Sequence, residues 1–182
     1  MIDTDDIEQV KKLVSIGLNQ RLEKLQPELR KFLKEHAILS GGAISSLYHR
    51  EHPKDWDLYL DDDNSIRLFK DYINADEEIQ HQVKDINPKY MVDTEVEGKM
   101  ITSNAVTLRN DLQVITMATK SFRDTFDYIH CMPWYDIKKD TLYMSPQQYN
   151  AIKAKKLILN PKALTAPTAY RKQKYKERGW RE

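Results

Sequence analysis

The chain has 182 residues, 40% of them hydrophobic, with 29 Lys/Arg against 28 Asp/Glu and a single cysteine, which is enough for one domain with its own core plus a short appended segment. No run approaches the ~18 apolar residues of a membrane span. The acidic start Met1-Ile2-Asp3-Thr4-Asp5-Asp6 is unlike a signal peptide. One cysteine excludes an internal disulfide and a Cys-based zinc cluster, so a cytoplasmic protein with no membrane partner is expected, with Cys131 a buried small hydrophobe.

Ile7, Val10, Leu13, Val14 and Leu18 follow the Asp/Thr cluster at a spacing that predicts a helix with one apolar stripe. Pro27 interrupts or restarts it, and Leu29, Phe32 and Leu33 carry a second helical stretch toward a first strand at residues 36–39. Gly41-Gly42 comes next. Adjacent glycines let the backbone turn sharply and approach an anion closely, and Ala43-Ile44-Ser45-Ser46 can open a helix whose free N–H groups face that anion. After a spacer of about a dozen residues comes Asp55-Trp56-Asp57-Leu58-Tyr59-Leu60. Alternation on a strand puts Asp55 and Asp57 on one face and sends Trp56 and Leu58 into the core. Carboxylates paired in this way can hold Mg²⁺ or Mn²⁺ against a triphosphate. Ser45 or Ser46 can bond a phosphate or merely cap the short helix, and Lys54 can reach a phosphate or stay solvated. His49 and His52 fit a solvated loop.

Asp61-Asp62-Asp63-Asn64-Ser65 has the chemistry to cap a helix through Ile66, Phe69, Tyr72 and Ile73. From Tyr90 the pattern turns to short β-type runs, at residues 90–95, 100–108, 112–117, 126–132 and 141–144. Glu97-Gly98-Lys99, Asn110-Asp111 and Lys138-Lys139-Asp140 supply turns, while Arg109 and Lys120 have no assigned role. Trp134-Tyr135-Asp136 offers either a base-stacking platform or core packing. Ser145 with Pro146 caps a further helix carrying Tyr149, Ile152, Leu157 and Ile158. Residues 151–182 hold ten Lys/Arg and two acids, a net charge of +8, which leaves residues 1–150 at −7. Cations alternate with Tyr170, Tyr175 and Trp180 there. Such a segment either holds RNA, rings on bases and cations on phosphates, or docks its rings on an acidic body.

Gly41-Gly42, the spacer and Asp55-x-Asp57 together resemble the signature of the polymerase-β-like nucleotidyltransferase superfamily. With Pro53-Lys54-Asp55-Trp56-Asp57-Leu58 the match is most similar to the head domain of CCA-adding tRNA nucleotidyltransferases. It spans residues 36–60, roughly one seventh of the chain. The chain also resembles small nucleotidyltransferase-like proteins of bacteriophages.

The resemblance implies an α+β, nucleotidyltransferase-like mixed sheet with helices packed on it over residues 1–150, and a basic helix or tail over 151–182. It implies a metal-dependent enzyme that transfers a nucleoside monophosphate from an NTP to an acceptor hydroxyl, with RNA or tRNA as the acceptor suggested by the tail. Asp55 and Asp57 would hold Mg²⁺ or Mn²⁺, and Gly41, Gly42, Ser45, Ser46 and Lys54 would line the nucleotide phosphates. Two departures stand out. Ser45-Ser46 replaces the Arg-Asp pair of CCA-adding enzymes, and no Arg-Arg-Asp or Glu-Asp-x-x-Arg motif follows, so CCA addition is not expected. Gln113 stands where a third carboxylate is plausible: either Asp127 fills that catalytic role from a neighbouring strand, or two carboxylates suffice, or metal binding is degraded. The last alternative makes the chain a catalytically degenerate scaffold that binds RNA, a nucleotide or a protein.

Overall fold

Asp3 accepts the backbone N–H groups of Asp5 and Asp6 at 2.9 and 3.4 Å and so opens helix α1, Thr4–Leu22. Its buried residues Val10, Val14, Leu18 and Leu22 recur every four positions, the stripe that the spacing predicts. Pro27 starts a new helix, α2 (Pro27–His36), at whose N-terminus the Gln26 side chain accepts the Leu29 N–H at 2.8 Å. The computed structural model describes residues 2–75, 83–86, 93–96, 99–102, 105–108, 110–116, 126–163 and 166–182. Expectations for residues 90–92, Glu97, Gly98, residues 103–104, Arg109, Met117 and Lys120 fall outside them.

Strand β1 (Ala37–Ser40) leads through the glycine pair into the short helix α3 (Gly42–Tyr48), then strand β2 (Trp56–Leu60) and helix α4 (Asp63–Ala75). Asp62 accepts the Ser65 N–H at 2.7 Å, so the acidic loop caps α4. Strands β3 (Val83–Ile86), β4 (Asp93–Val96), β5 (Lys99–Thr102), β6 (Ala105–Leu108) and β7 (Leu112–Ile115) follow. Asn110 and Asp111, between β6 and β7, take left-handed φ angles of 70° and 64°, which these two residue types tolerate in turns. Strands β8 (Trp134–Asp136) and β9 (Thr141–Tyr143) come next, then helices α5 (Pro146–Lys153) and α6 (Ala169–Glu177). Seven strands form one mixed sheet in the order β3-β6-β7-β2-β1-β8-β9, and β4 pairs with β5 apart from it. Strand β2 is central, antiparallel to β1 and parallel to β7.

Trp56, Leu58 and Leu60 point from β2 into the main core, which joins them to side chains of α1, α2, α3 and α4. The Trp56 ring lies so close to α1 that a Cβ on Gly17 would stand 2.5 Å from it, and Arg21 covers the ring at 4.4 Å. The architecture is the expected α+β arrangement of a mixed sheet with helices packed on it. Among the described residues no helix is long and apolar enough to cross a membrane.

Four elements differ from the sequence expectation. The run at residues 100–108 is not one strand: β5 pairs with β4, and β6 belongs to the main sheet. Residues 126–132 do not form a strand: Tyr128 makes a single bridge to Leu159, and Ile129–Cys131 is a 3₁₀ turn. Tyr128, His130 and Cys131 are buried there and the other four residues half-buried, and so short an apolar run has no period that separates strand from turn. The strand lies just downstream, at β8, where Tyr135 enters the main core and Trp134 stacks on Tyr143. Strand β3 begins before Tyr90 and, among the described residues, is an edge strand paired with β6 through an irregular register, the position where alternation is least demanded. Helix α5 ends at Lys153, and Leu157 instead donates its N–H to the Arg181 carbonyl at 2.7 Å.

That last bond belongs to a second, smaller core. Tyr128, Cys131, Ile152, Leu157, Tyr175 and Trp180 pack together, with Tyr48 and Met144 touching both cores. Helix α6 ends in a Schellman motif: Gly179 takes φ +90°, its N–H donates to Lys176, and the Trp180 N–H donates to Tyr175. The Trp180 ring is thereby stacked on buried His130, 4.1 Å between centroids. Burial, then the charge of Arg171, holds the His130 imidazole neutral with its pKa down at about 3.

Candidate active site

Strand alternation turns Asp57 and Tyr59 away from Trp56 and Leu58, toward a cleft of about 620 Å³. Its lining joins Gly41, Gly42, Ala43 and Ser46 of the turn, Pro53, Lys54, Asp55 and Asp57 around β2, and Asp127 with Cys131. The far side is supplied by Arg171, Lys174, Tyr175 and Arg178 of α6 and its C-terminal cap. A second depression of about 680 Å³ lies elsewhere, between α1, α2 and the β8–β9 hairpin, with neither the glycine turn nor the carboxylate pair.

Gly41 takes φ +91°, a conformation that L side chains resist, and a Cβ there would stand 3.2 Å from Asp57 Oδ2. Its own N–H is engaged, donating to the Cys131 carbonyl at 3.0 Å. The turn is therefore tied to residues 129–131 and pressed against the carboxylate. No side chain caps the start of α3. Gly42 faces α6, where a Cβ would meet the Tyr175 hydroxyl at 3.7 Å.

Asp55 is exposed at the mouth of the cleft. Asp57 is more enclosed, opposite Ser40 on β1 and Gln113 on β7. Burial, then repulsion from Asp55, pushes its carboxyl up to about 7, while Arg171 and Lys174 pull the other way. Among the described residues Asp57 Oδ1 is buried without a hydrogen-bond partner. A buried carboxylate oxygen left bare beside a second carboxylate has the chemistry to serve as a donor for a divalent cation. Mg²⁺ and Mn²⁺ fit such hard oxygens, keeping waters and taking phosphate oxygens for the remaining positions. Among the described residues no group of three or more His, Cys, Asp or Glu side chains is placed to hold a metal, so the donor set is a pair.

Asp127 is brought to the same cleft, but its carboxylate is spoken for. Arg171 Nε donates to Oδ2 at 2.5 Å and Nη2 to Oδ1 at 3.2 Å, while the Tyr128 N–H donates to Oδ1 at 2.8 Å. The two serines separate. Ser46 lines the cleft, whereas Ser45 is buried and donates its hydroxyl to the Gly42 carbonyl at 3.0 Å, so the phosphate contact expected of Ser45 is not available in this arrangement. Lys54 lines the cleft as an exposed side chain. His49 is not solvated: its Nε2 lies 2.6 Å from the Ile152 carbonyl, as a donor.

The cations of α6 were not singled out from the sequence as one site. Arg171, Lys174, Tyr175 and Arg178 follow i, i+3, i+4, i+7 spacing, the signal of a single helix face. Tyr175 and Trp180 are each 6% exposed, so these two rings dock on the body and do not present a stacking surface. Tyr170 is 77% exposed.

A family model described as Gad2, Gabija anti-defense 2 family protein, matches residues 9–155. No curated protein matches the chain. Among solved structures, a CCA-adding enzyme in an apo form is similar at a TM-score of 0.46 and 14% identity, over 80% of this chain and 36% of that one. A Thermotoga maritima CCA-adding enzyme complexed with tRNA is similar at a TM-score of 0.44 and 13% identity, over 78% and 35%. The chain thus spans about a third of the length of the structures it matches.

Proposed function

This chain belongs to the Gabija anti-defense 2 family, and from that premise we propose that it opposes the Gabija defence as a metal-dependent nucleotidyltransferase. The observation that carries the chemistry is the bare, buried Oδ1 of Asp57 beside Asp55, with Gly41 pressed against the same carboxylate. Mg²⁺ or Mn²⁺ on this pair would neutralise the triphosphate of an NTP and favour the alkoxide of an acceptor hydroxyl. The residues of the chain do the positioning. Gly41 and Gly42, having no side chains, let the phosphates come close to the backbone, and Ser46 and Lys54 lie within the same cleft to bond them. The acceptor oxygen attacks the α-phosphorus in line, the bond to the bridging oxygen breaks, and pyrophosphate leaves. A hydroxyl of RNA, of a protein or of a small molecule is compatible with this site, and a component of the defence system is the acceptor class that the family name favours.

One observation favours a second reading. Gln113 lies beside Asp57 in register, and Asp127 is bound by Arg171, so a chain with two carboxylates at the site could bind a nucleotide or RNA without transferring anything. The test is pyrophosphate release and label transfer with each α-labelled NTP, with Mg²⁺ or Mn²⁺, offering cellular RNA and protein as acceptors. The expected result is transfer that disappears in a folded Asp55→Asn/Asp57→Asn variant, a fall of roughly a hundredfold or more. Nucleotide binding with no transfer in the wild type would select the binding scaffold.

A further inference from the structure

We propose that Lys174 and Arg178, with Lys54 across the cleft, form a polyphosphate-binding comb that takes the triphosphate of a nucleotide and the pyrophosphate it releases. This assigns a ligand to the α6 side of the cleft and rests on the transfer reading for what happens to that ligand. Lys174 and Arg178 lie outside residues 9–155, the span matched by the family model, and Lys54 lies within it.

The first support is the sorting of charge on α6. Its basic residues do not share one environment. Lys172 and Lys176 are on another face, where Glu182 lies 3.1 and 4.0 Å from their ammonium groups. Arg171 faces the cleft but is committed to Asp127 by its bidentate pair. Lys174, Arg178 and Lys54 line the cleft, and among the described residues none of their side chains has an ion-pair partner within 4.0 Å. Like charges gathered without partners are costly unless an anion completes them.

The second support is rigidity. Tyr175, one residue from Lys174, is buried, meets Cys131 Sγ at 3.4 Å and stands over Gly42. Arg178 is the C-cap residue of the Schellman motif, and its carbonyl accepts Lys155 Nζ at 2.9 Å. Lys155 in turn is paired with Glu51 at 2.5 Å. The backbone that presents the two cations is therefore pinned at both residues, and binding costs little loop ordering.

The third is complementarity. The cleft holds Lys54, Arg171, Lys174 and Arg178 against Asp55, Asp57 and Asp127. Arg171 and Asp127 cancel each other. A divalent cation on the remaining carboxylate pair would leave three cations in excess, facing the glycine turn, which suits a linear polyanion of about four charges.

The test is calorimetric titration with inorganic tripolyphosphate in the presence and absence of Mg²⁺. Wild type should bind, and Lys174→Gln/Arg178→Gln should weaken binding about tenfold or more. Lys174→Arg/Arg178→Lys, which keeps both charges, and Lys172→Gln/Lys176→Gln, outside the cleft, should stay close to wild type. Unchanged affinity in Lys174→Gln/Arg178→Gln overturns the comb, and so does an equal loss in Lys172→Gln/Lys176→Gln, which would mean diffuse charge. A comb variant that loses single-stranded RNA but still holds tripolyphosphate overturns it in favour of an RNA track. Label transfer is scored separately: tripolyphosphate binding that depends on the comb in a protein without transfer keeps the comb and rejects the transfer reading.

Discussion

The two sides of the cleft rest on different cores. Asp55 and Asp57 stand at the central strand of a seven-stranded sheet, whose opposite face is buried under four helices. Lys174 and Arg178 stand on a short helix held by a cluster of six buried residues, to which α6 and its cap contribute Tyr175 and Trp180. A carboxylate on a central strand is positioned by hydrogen bonds on both sides and by alternation. A cation on a docked helix is positioned only as well as its few anchoring rings. The carboxylate side is therefore the rigid one, and the basic side on α6 is the one a mutation can loosen by itself.

The largest way to break this comparison is Trp180→Ala. Removing a ring stacked on His130 and packed near Tyr175 should cost about 3–5 kcal/mol of local stability. Hydrogen exchange should accelerate along Ala169–Glu177 while the amides of β1 and β2 keep their protection. Uniform loss of protection would mean one core, not two. The reverse experiment is Gly17→Ala, which puts a methyl 2.5 Å from the Trp56 ring. Overpacking should lower denaturant stability by about 1–3 kcal/mol, with α6 exchange unchanged.

A smaller effect sharpens the comparison at the site itself. The Asp57 carboxyl is raised to about 7, so between the ordinary carboxylate range and pH 7 the folded protein keeps a proton that the unfolded chain has released. Stability then falls as pH rises through that window and levels off above it. Asp57→Asn removes the loss: with chelator present, the variant should match wild type near pH 4. It should exceed wild type at pH 8 by on the order of 2 kcal/mol, allowing for the partial exposure of Asp57. Thermal melts at the two pH values check this, and a wild type whose stability is flat over the window contradicts it.

Gly41, Gly42, Asp55 and Asp57 were legible in the sequence because each depends on a local rule. A φ of +91° needs glycine, and the two-residue alternation of a strand decides which side chains share a face. The caps at Asp3, Asp62 and Ser145 were legible for the same reason: donor and acceptor lie within three residues of each other. Ser45 and Ser46 were not separable, since one residue's rotation about a short helix decides which enters the cleft. Residues 126–132 read as a strand because a buried apolar run carries no period of its own.

The sequence by itself determined the glycine turn, the carboxylate pair and the α+β alternation around them, through rules that act over a few residues. Only the tertiary structure decided that Arg171, 44 positions away, would claim Asp127. It also decided that Tyr175 and Trp180 of the basic segment would turn inward, and that Lys174 and Arg178 would face the carboxylates across one cleft. Those outcomes depend on where a second core forms, and no local pattern encodes which distant surfaces exclude water together.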